Sequence, residues 1–297
     1  MRGPDGQRAQ FRAVTQFSIS LDYCGHNIKG GVGKTATAVN LAYLASLDGY
    51  RCLLWDLDPQ GAATFYFRVK AKVKGGGRRL FRGKSDLESL IRGTDFEGLD
   101  LLPADFSYRH MDLVLGTARK PRKQLRKLLR PLEQDYDLVF LDCAPSISLA
   151  SENIFAAASV LLVPTIPTPL SLRTLKQLRH HLHTNGPKGT LLLPFFCMAD
   201  WRRTLHRQIA AEADGEVFLL RSQIPYSSLV EQMGIRRAPL LSYARGSAPG
   251  RAYAALWSEV AALIGLRQAR PVPEAMIRER APSDLTSQTS HADPTEK

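Results

Sequence analysis

Apolar and polar positions run through this chain in blocks whose period changes from one block to the next. Thr35–Leu47 (TATAVNLAYLASL) carries apolar residues at helical spacing, and Gly49 supplies a stop. The short apolar runs RCLLWD (51–56), LDLLPA (99–104), DLVFLDCAP (137–145), SVLLVPTIP (159–167), TLLLPFFCM (190–198) and EVFLLRSQIPY (216–226) have strand length and strand composition. Helical periodicity returns in 120–134, 170–182, 201–213 and 248–266. Ser85-Asp86-Leu87-Glu88 has the Ser-x-x-Glu form of a capping box and predicts a helix start. The segment 65–84 reads as a basic, Gly-containing loop.

The first strand, Phe17–Cys24, is the weakest of the set, because Asp22 and then Gly25-His26 interrupt it where a buried strand should enter a loop. Polar, Gly- and Arg-rich residues 1–16 predict a disordered extension, and the Pro/Ser/Thr-rich stretch 267–297 predicts a disordered tail. Between them, strands alternating with helices over 17–266 predict one α/β domain: a three-layer, mostly parallel twisted sheet with helices on both faces. No internal repeat is visible.

Composition narrows the partners. Of the 297 residues 44% are hydrophobic, enough for a full core, and the formal net charge is +12. That balance favours a polyanion, nucleic acid or an acidic surface, through long-range attraction. The cations gather in three sets: Arg68, Lys70, Lys72, Lys74, Arg78, Arg79, Arg82 and Lys84; Arg119, Lys120, Arg122, Lys123, Arg126, Lys127 and Arg130; and Arg202, Arg203, Arg207, Arg236 and Arg237. Cys24, Cys52, Cys143 and Cys197 are widely spaced and offer neither a zinc pattern nor a disulfide framework. The seven histidines show no metal-ligand spacing, and no apolar run reaches membrane-spanning length. These features fit a cytoplasmic protein.

Chemistry concentrates in Lys29-Gly30-Gly31-Val32-Gly33-Lys34-Thr35, which sits between a strand and a helix. Glycines let backbone N–H groups approach phosphate oxygens, and the helix that follows presents its positive end to them. Lys34 is placed to reach the terminal phosphates and Thr35 to hold Mg²⁺. The strict Walker A pattern fails at Ile28, and a second lysine, Lys29, opens the loop instead.

That form resembles the deviant Walker A of the ParA/MinD family of P-loop ATPases, closest to its ParA-like partitioning members. Two further stretches carry the same resemblance: Asp56-Leu57-Asp58-Pro59-Gln60-Gly61, and the Walker B-like LVFLDCAPS of 138–146. The likeness spans residues 26–262. It implies that ATP and Mg²⁺ are the cofactors, with Gly30, Gly31, Val32, Gly33, Lys34, Thr35 and Ala36 around the phosphates. It implies that Lys29 crosses a dimer interface to the partner's phosphates, that Asp58 positions the attacking water, and that Thr35, Asp56 and Asp142 serve the metal. Pro225 is expected near the adenine. The resemblance also implies an ATP-state homodimer, non-specific DNA binding and an activating, ParB-like partner protein. The chain departs from the family pattern at Ala36, where many relatives carry a second Thr, and at Leu229, where some partition members place a DNA-binding arginine.

Three other functions share these motifs. A regulator of a polysaccharide or export machine is compatible with all of them. A MinD-like membrane ATPase needs a terminal amphipathic helix, which PSDLTSQTSHADPTEK does not provide. A small-molecule amide ligase of the same fold is disfavoured by Lys29 and by Asp58-Pro59-Gln60.

Overall fold

The computed structural model describes residues 17–21, 31–144, 149–187, 189–213 and 217–266. The predicted terminal segments 1–16 and 267–297, together with Lys29, Gly30 and Pro145-Ser146, lie outside the described residues.

Among the described residues, eight strands form the central sheet: β1 (Phe17–Leu21), β2 (Cys52–Asp56), β3 (Arg92–Gly93), β4 (Leu99–Leu102), β5 (Leu138–Asp142), β6 (Val160–Thr165), β7 (Leu191–Ala199) and β8 (Ile224–Pro225). Their spatial order is β3-β4-β2-β5-β1-β6-β7-β8. Every pairing is parallel except that of β3 with β4. β2 and β5 are buried along their whole length, as a central strand covered on both faces must be.

Among the described residues, twelve α-helices accompany them, with four 3-10 turns. α1 (Lys34–Leu47), α2 (Ala62–Tyr66) and α3 (Gly76–Phe81) precede β3 in the chain. α4 (Met111–Gly116) and α5 (Gln124–Leu129) precede β5, and α6 (Leu149–Ala157), α7 (Pro169–Asn185) and α8 (Thr204–Ala213) follow it. α9 (Ser228–Glu231), α10 (Met233–Arg236), α11 (Leu241–Ala244) and α12 (Ala248–Leu263) close the domain. Strand periodicity divides the core. Leu54, Phe140, Val160 and Phe195 face a core built with α1 and α12, whereas Leu53, Trp55, Val139 and Leu141 face one built with α3, α4, α5 and α6. The three-layer expectation therefore holds. Among the described residues, no helix is long and apolar enough to cross a membrane.

Four local expectations change. The capping box does not start an α-helix: Glu88–Leu90 makes a single 3-10 turn. Leu87 and Leu90 sink into the second core and β3 begins at Arg92, which leaves too few residues to repay helix nucleation. The helix predicted over 120–134 breaks into a 3-10 turn at Pro121–Lys123, α5, and a second 3-10 turn at Arg130–Gln134. Pro131 has no N–H to donate into the ladder of α5, so the α-helical bonding ends there and the chain tightens into a 3-10 turn, while Arg130 itself keeps helical dihedrals (φ −54°, ψ −41°). The loop expected over 65–84 contains the end of α2 and all of α3.

The strand expected over 216–226 shrinks to Ile224–Pro225. Leu220 N–H donates to Pro194 O, and Arg221 N–H and Ser222 N–H donate to the Glu259 carboxylate. Pro194 belongs to β7, so Leu220 makes one bond to that strand, but the Arg221 and Ser222 amides are taken by Glu259 and cannot extend the ladder.

Candidate nucleotide site

The site is built at the carboxyl ends of the two central strands. In the parallel pairing of β2 with β5, Asp56 stands opposite Asp142, so the last residues of both strands are carboxylates side by side. Leu21 of β1 is level with Asp142, so the chain leaving β1 exits at the same edge. Gly31–Gly33 lead into α1, which begins at Lys34. Ligands in open α/β sheets bind at this edge, outside the carboxyl ends of the strands.

Gly31 and Gly33 have φ values of +105° and +88°, a region that residues with a Cβ rarely adopt. A Cβ on Gly33 would also stand 2.7 Å from Cys197 Sγ at the end of β7, so glycine is required there twice over. Gly33 provides no side-chain cap to α1, and the first turn of that helix carries no acidic residue. Its leading amides and positive dipole end are left for an anion. Thr37 steadies the turn, its hydroxyl donating to Gly33 O at 2.7 Å. Val32 and Ala36 are buried, and Lys34 is 8% exposed at the start of the helix.

The two strand-end aspartates are fully buried yet differently served. Asp56 accepts from Thr64 N–H at 2.8 Å, Thr64 Oγ1–H at 2.7 Å and Asp58 N–H at 3.2 Å. Burial pushes its carboxyl up to about 6, against the lowering effect of the Thr64 bonds. Among the described residues, no donor meets hydrogen-bond geometry at either Asp142 oxygen, although the Thr35 hydroxyl is near enough to act on the carboxyl. Burial drives its carboxyl well above the usual range and the neighbouring Asp56 drives it further, while the nearby Thr35 hydroxyl and Lys34 ammonium pull it back only in part.

A carboxyl buried in this way can hold its charge only beside a counter-charge. Asp142 with Thr35 is an oxygen donor set suited to a hard divalent cation, and Mg²⁺ fits it. Asp56 fits a direct metal contact less well, because Thr64 and Asp58 already occupy its oxygens.

Asp58 is half-exposed in the loop after β2, where its carboxylate accepts from Gln60 N–H at 2.9 Å and its carbonyl from Gly61 N–H at 2.9 Å. Its charge is felt by both Asp56 and Asp142. Pro225 is half-buried in β8 at the far edge of the sheet, beside exposed Tyr226. Lys29 and Gly30 are outside the described residues, so the structure says nothing of their place.

Thr64 was invisible to motif reading. It binds Asp56 with both its N–H and its hydroxyl, and the hydroxyl oxygen accepts from Ala104 N–H at 2.9 Å. Asn40 was equally silent. Fully buried on α1, it accepts from Leu240 N–H at 2.8 Å and donates to Ala36 O and to Met233 Sδ, fixing the segment that carries Arg236 and Arg237. Of the third basic set, Arg202 pairs with Asp200, Arg207 bonds Trp201 O, and Arg237 lies over the Phe65 ring at 4.6 Å. Leu229 is packed against the first core.

Comparison with known proteins agrees with this geometry. A family model described as an AAA domain matches residues 24–186. The sporulation initiation inhibitor protein Soj of Bacillus subtilis is 30% identical over 247 residues, covering 80% of this chain and 96% of that protein. The chromosome-partitioning ATPase Soj of Thermus thermophilus is 42% identical over 197 residues, covering 63% of this chain and 72% of that protein. Among solved structures, cobyrinic acid a,c-diamide synthase from Mycobacterium smegmatis with bound ADP and magnesium superposes with a TM-score of 0.68 at 25% identity, covering 85% of this chain and 97% of that one. The glycine loop entering α1, the paired strand-end aspartates and these relatives together place the chain in the ParA/MinD family of P-loop ATPases.

Proposed function

We propose that this chain is a partitioning or positioning ATPase whose nucleotide state controls dimerisation, and that it works in the cytoplasm. The observation that carries this reading is Asp142, a fully buried carboxyl with no donor in hydrogen-bond geometry among the described residues, level with Asp56 and within the influence of Thr35 and Lys34 in the first turn of α1. In this reading the amides of 30–36 and the Lys34 ammonium hold the ATP phosphates, and Thr35 and Asp142 hold Mg²⁺, with Asp142 acting through water. Asp56 supports the metal region from behind, oriented by Thr64. Mg²⁺ bound there would neutralise charge on the phosphate oxygens.

Asp58 is the residue assigned to orienting water. Its half-exposed position, on a loop held by its own turn bonds, leaves it able to face solvent and the phosphates together. Lys29 reaches a second copy across a dimer interface, and Pro225 borders the adenine. The dimer binds DNA without sequence preference, and a ParB-like protein stimulates hydrolysis and release. The Thermus relative is a chromosome-partitioning ATPase, which supports the partition role. The competing reading is a small-molecule amide synthase, as the solved neighbour is.

Light scattering with ATP·Mg²⁺ and with ADP separates these. The expected result is an ATP-dependent dimer that persists in Asp58→Ala, together with turnover by the parental chain that needs no small-molecule acceptor. A monomer in both nucleotide states, or hydrolysis by Asp58→Ala at the parental rate, contradicts the proposal.

A further inference from the structure

Two basic runs that are far apart in sequence meet on one face of this protein. The first is carried by α3 and the residues just after it: Arg78, Arg79, Arg82 and Lys84. The second runs through α5 and its flanking turns: Arg122, Lys123, Arg126, Lys127 and Arg130. All nine side chains are exposed. Beneath them Leu80 and Phe81 of α3 and Leu125, Leu128 and Leu129 of α5 share one core. A Cβ on Gly83 would lie 3.8 Å from Gln124 Nε2 and 4.0 Å from Leu128 Cδ2, so the end of α3 abuts α5. Two short helices that bury their apolar residues against the same core must turn their cations outward together.

The charge on this face is largely uncompensated. Among the described residues, Arg122 is the one member of the nine in an ion pair, with Glu152 at 2.7 Å. Nearby carboxylates are engaged with the backbone: Asp105 accepts from Val73 N–H and Ser107 N–H, and Asp112 from Ala150 N–H. Asp86, Glu88, Glu133 and Asp135 remain exposed at the rim, fewer than the nine cations.

We propose that this α3–α5 face is the principal docking surface for double-stranded DNA, on the opposite side of the sheet from Arg236 and Arg237. The proposal rests on the DNA-binding reading above and adds the surface. Arginine dominates the set, and its planar fork suits phosphate oxygens. Bilayer insertion needs an exposed apolar helix face, whereas α3 and α5 spend theirs on the core. The exposed apolar side chains of the neighbouring segment are Phe106, covered by the Arg109 guanidinium at 3.9 Å, and Leu113.

The test is fluorescence anisotropy of a labelled 40-mer duplex of mixed sequence with ATP·Mg²⁺ across a salt series. The full-length chain is compared with Arg78→Gln/Arg79→Gln, Arg126→Gln/Lys127→Gln, the combination of all four, and an opposite-face control, Arg221→Gln/Arg251→Gln. Each phosphate contact contributes about −0.9 to the slope of log affinity against log salt. Each α3 or α5 pair should flatten the slope by about two units and the combination by about four, while the control stays parental. Between 50 and 200 mM salt the combined variant should then lose on the order of 100-fold less affinity than the parent. Melting temperature and basal ATPase rate should be unchanged, because none of these residues lies in the nucleotide site.

If the parent binds DNA and the α3 and α5 pairs change the slope no more than the control does, this surface is wrong and the DNA reading stands. If the parent retains no DNA at the lowest salt, both fall. Phosphatidylglycerol vesicles form the second arm. Vesicle binding that the four substitutions abolish, with DNA binding unaltered, overturns the proposal in favour of a lipid surface.

Discussion

Replacing Thr64 with valine removes one hydroxyl and almost no volume, and the structure assigns that hydroxyl two tasks. It donates to the fully buried Asp56 carboxylate at 2.7 Å and accepts from Ala104 N–H at 2.9 Å. A hydrogen bond to a charged group contributes about 1.5–3 kcal/mol, and a buried N–H left without a partner costs about 1–3 kcal/mol. Thr64→Val should therefore cost roughly 3–5 kcal/mol, with some relief if a water molecule reaches the gap. For a domain of this size each kcal/mol lowers Tm by about 2–4 °C, so a drop of about 6–20 °C is expected. Differential scanning calorimetry without nucleotide, on the parent, Thr64→Val and Thr64→Ser, measures it. Serine keeps the hydroxyl and should recover most of the loss. A valine variant melting within about 3 °C of the parent, or a serine variant as unstable as valine, refutes the assignment of Thr64 as the anchor of Asp56.

Lys34→Ala should abolish ATP binding by titration calorimetry while leaving the melting curve close to parental; unchanged affinity removes Lys34 from the phosphates. Gly33→Ala should fold but bind nucleotide at least about 10-fold more weakly, because it meets both a left-handed backbone, costing about 1–2 kcal/mol, and Cys197 Sγ at 2.7 Å. Adding Cys197→Ala should recover part of that loss, and no recovery argues against the contact. The Arg51 guanidinium, bonded to Asp137 at 2.8 Å, holds that carboxyl below the usual range. A depressed folded pKa gives stability that is present above the unfolded value and lost as pH falls through the folded one. Asp137→Asn should thus cost at most about 1 kcal/mol at pH 7, this half-exposed pair being screened, and the gap should close below about pH 4 in urea melts.

The parts of the site that the sequence revealed are those where one residue's chemistry is written into its neighbours. An apolar run ending in aspartate marks both Asp56 and Asp142, because a buried parallel strand has no other place for a charge than its end. Gly31 and Gly33 announced a backbone that approaches something closely, and both have the left-handed φ that this requires. What stayed hidden depends on partners distant in sequence. Thr64 matters through Asp56 and Ala104, and Asn40 through Met233 and Leu240, and no local pattern marks either. The broken helix at Arg130-Pro131 was readable from the proline alone. The short β8 was not, since Glu259 on α12 takes the amides that would have extended it. The convergence of α3 and α5 likewise depends on which core their leucines share.

Asp142 carries the account, and one pair of titrations tests it most directly. ATP is titrated by calorimetry into the parent and into Asp142→Asn, each with Mg²⁺ and with EDTA. If the buried, donor-less carboxylate is the magnesium anchor, Mg²⁺ should tighten ATP binding to the parent by at least about 10-fold and leave Asp142→Asn indifferent. The asparagine variant without ligand should melt no lower than the parent, since it no longer buries an acid beside Asp56 that burial and that neighbour both disfavour ionising. An Asp142→Asn variant that keeps the full magnesium effect, or that unfolds well below the parent without nucleotide, would contradict the assignment.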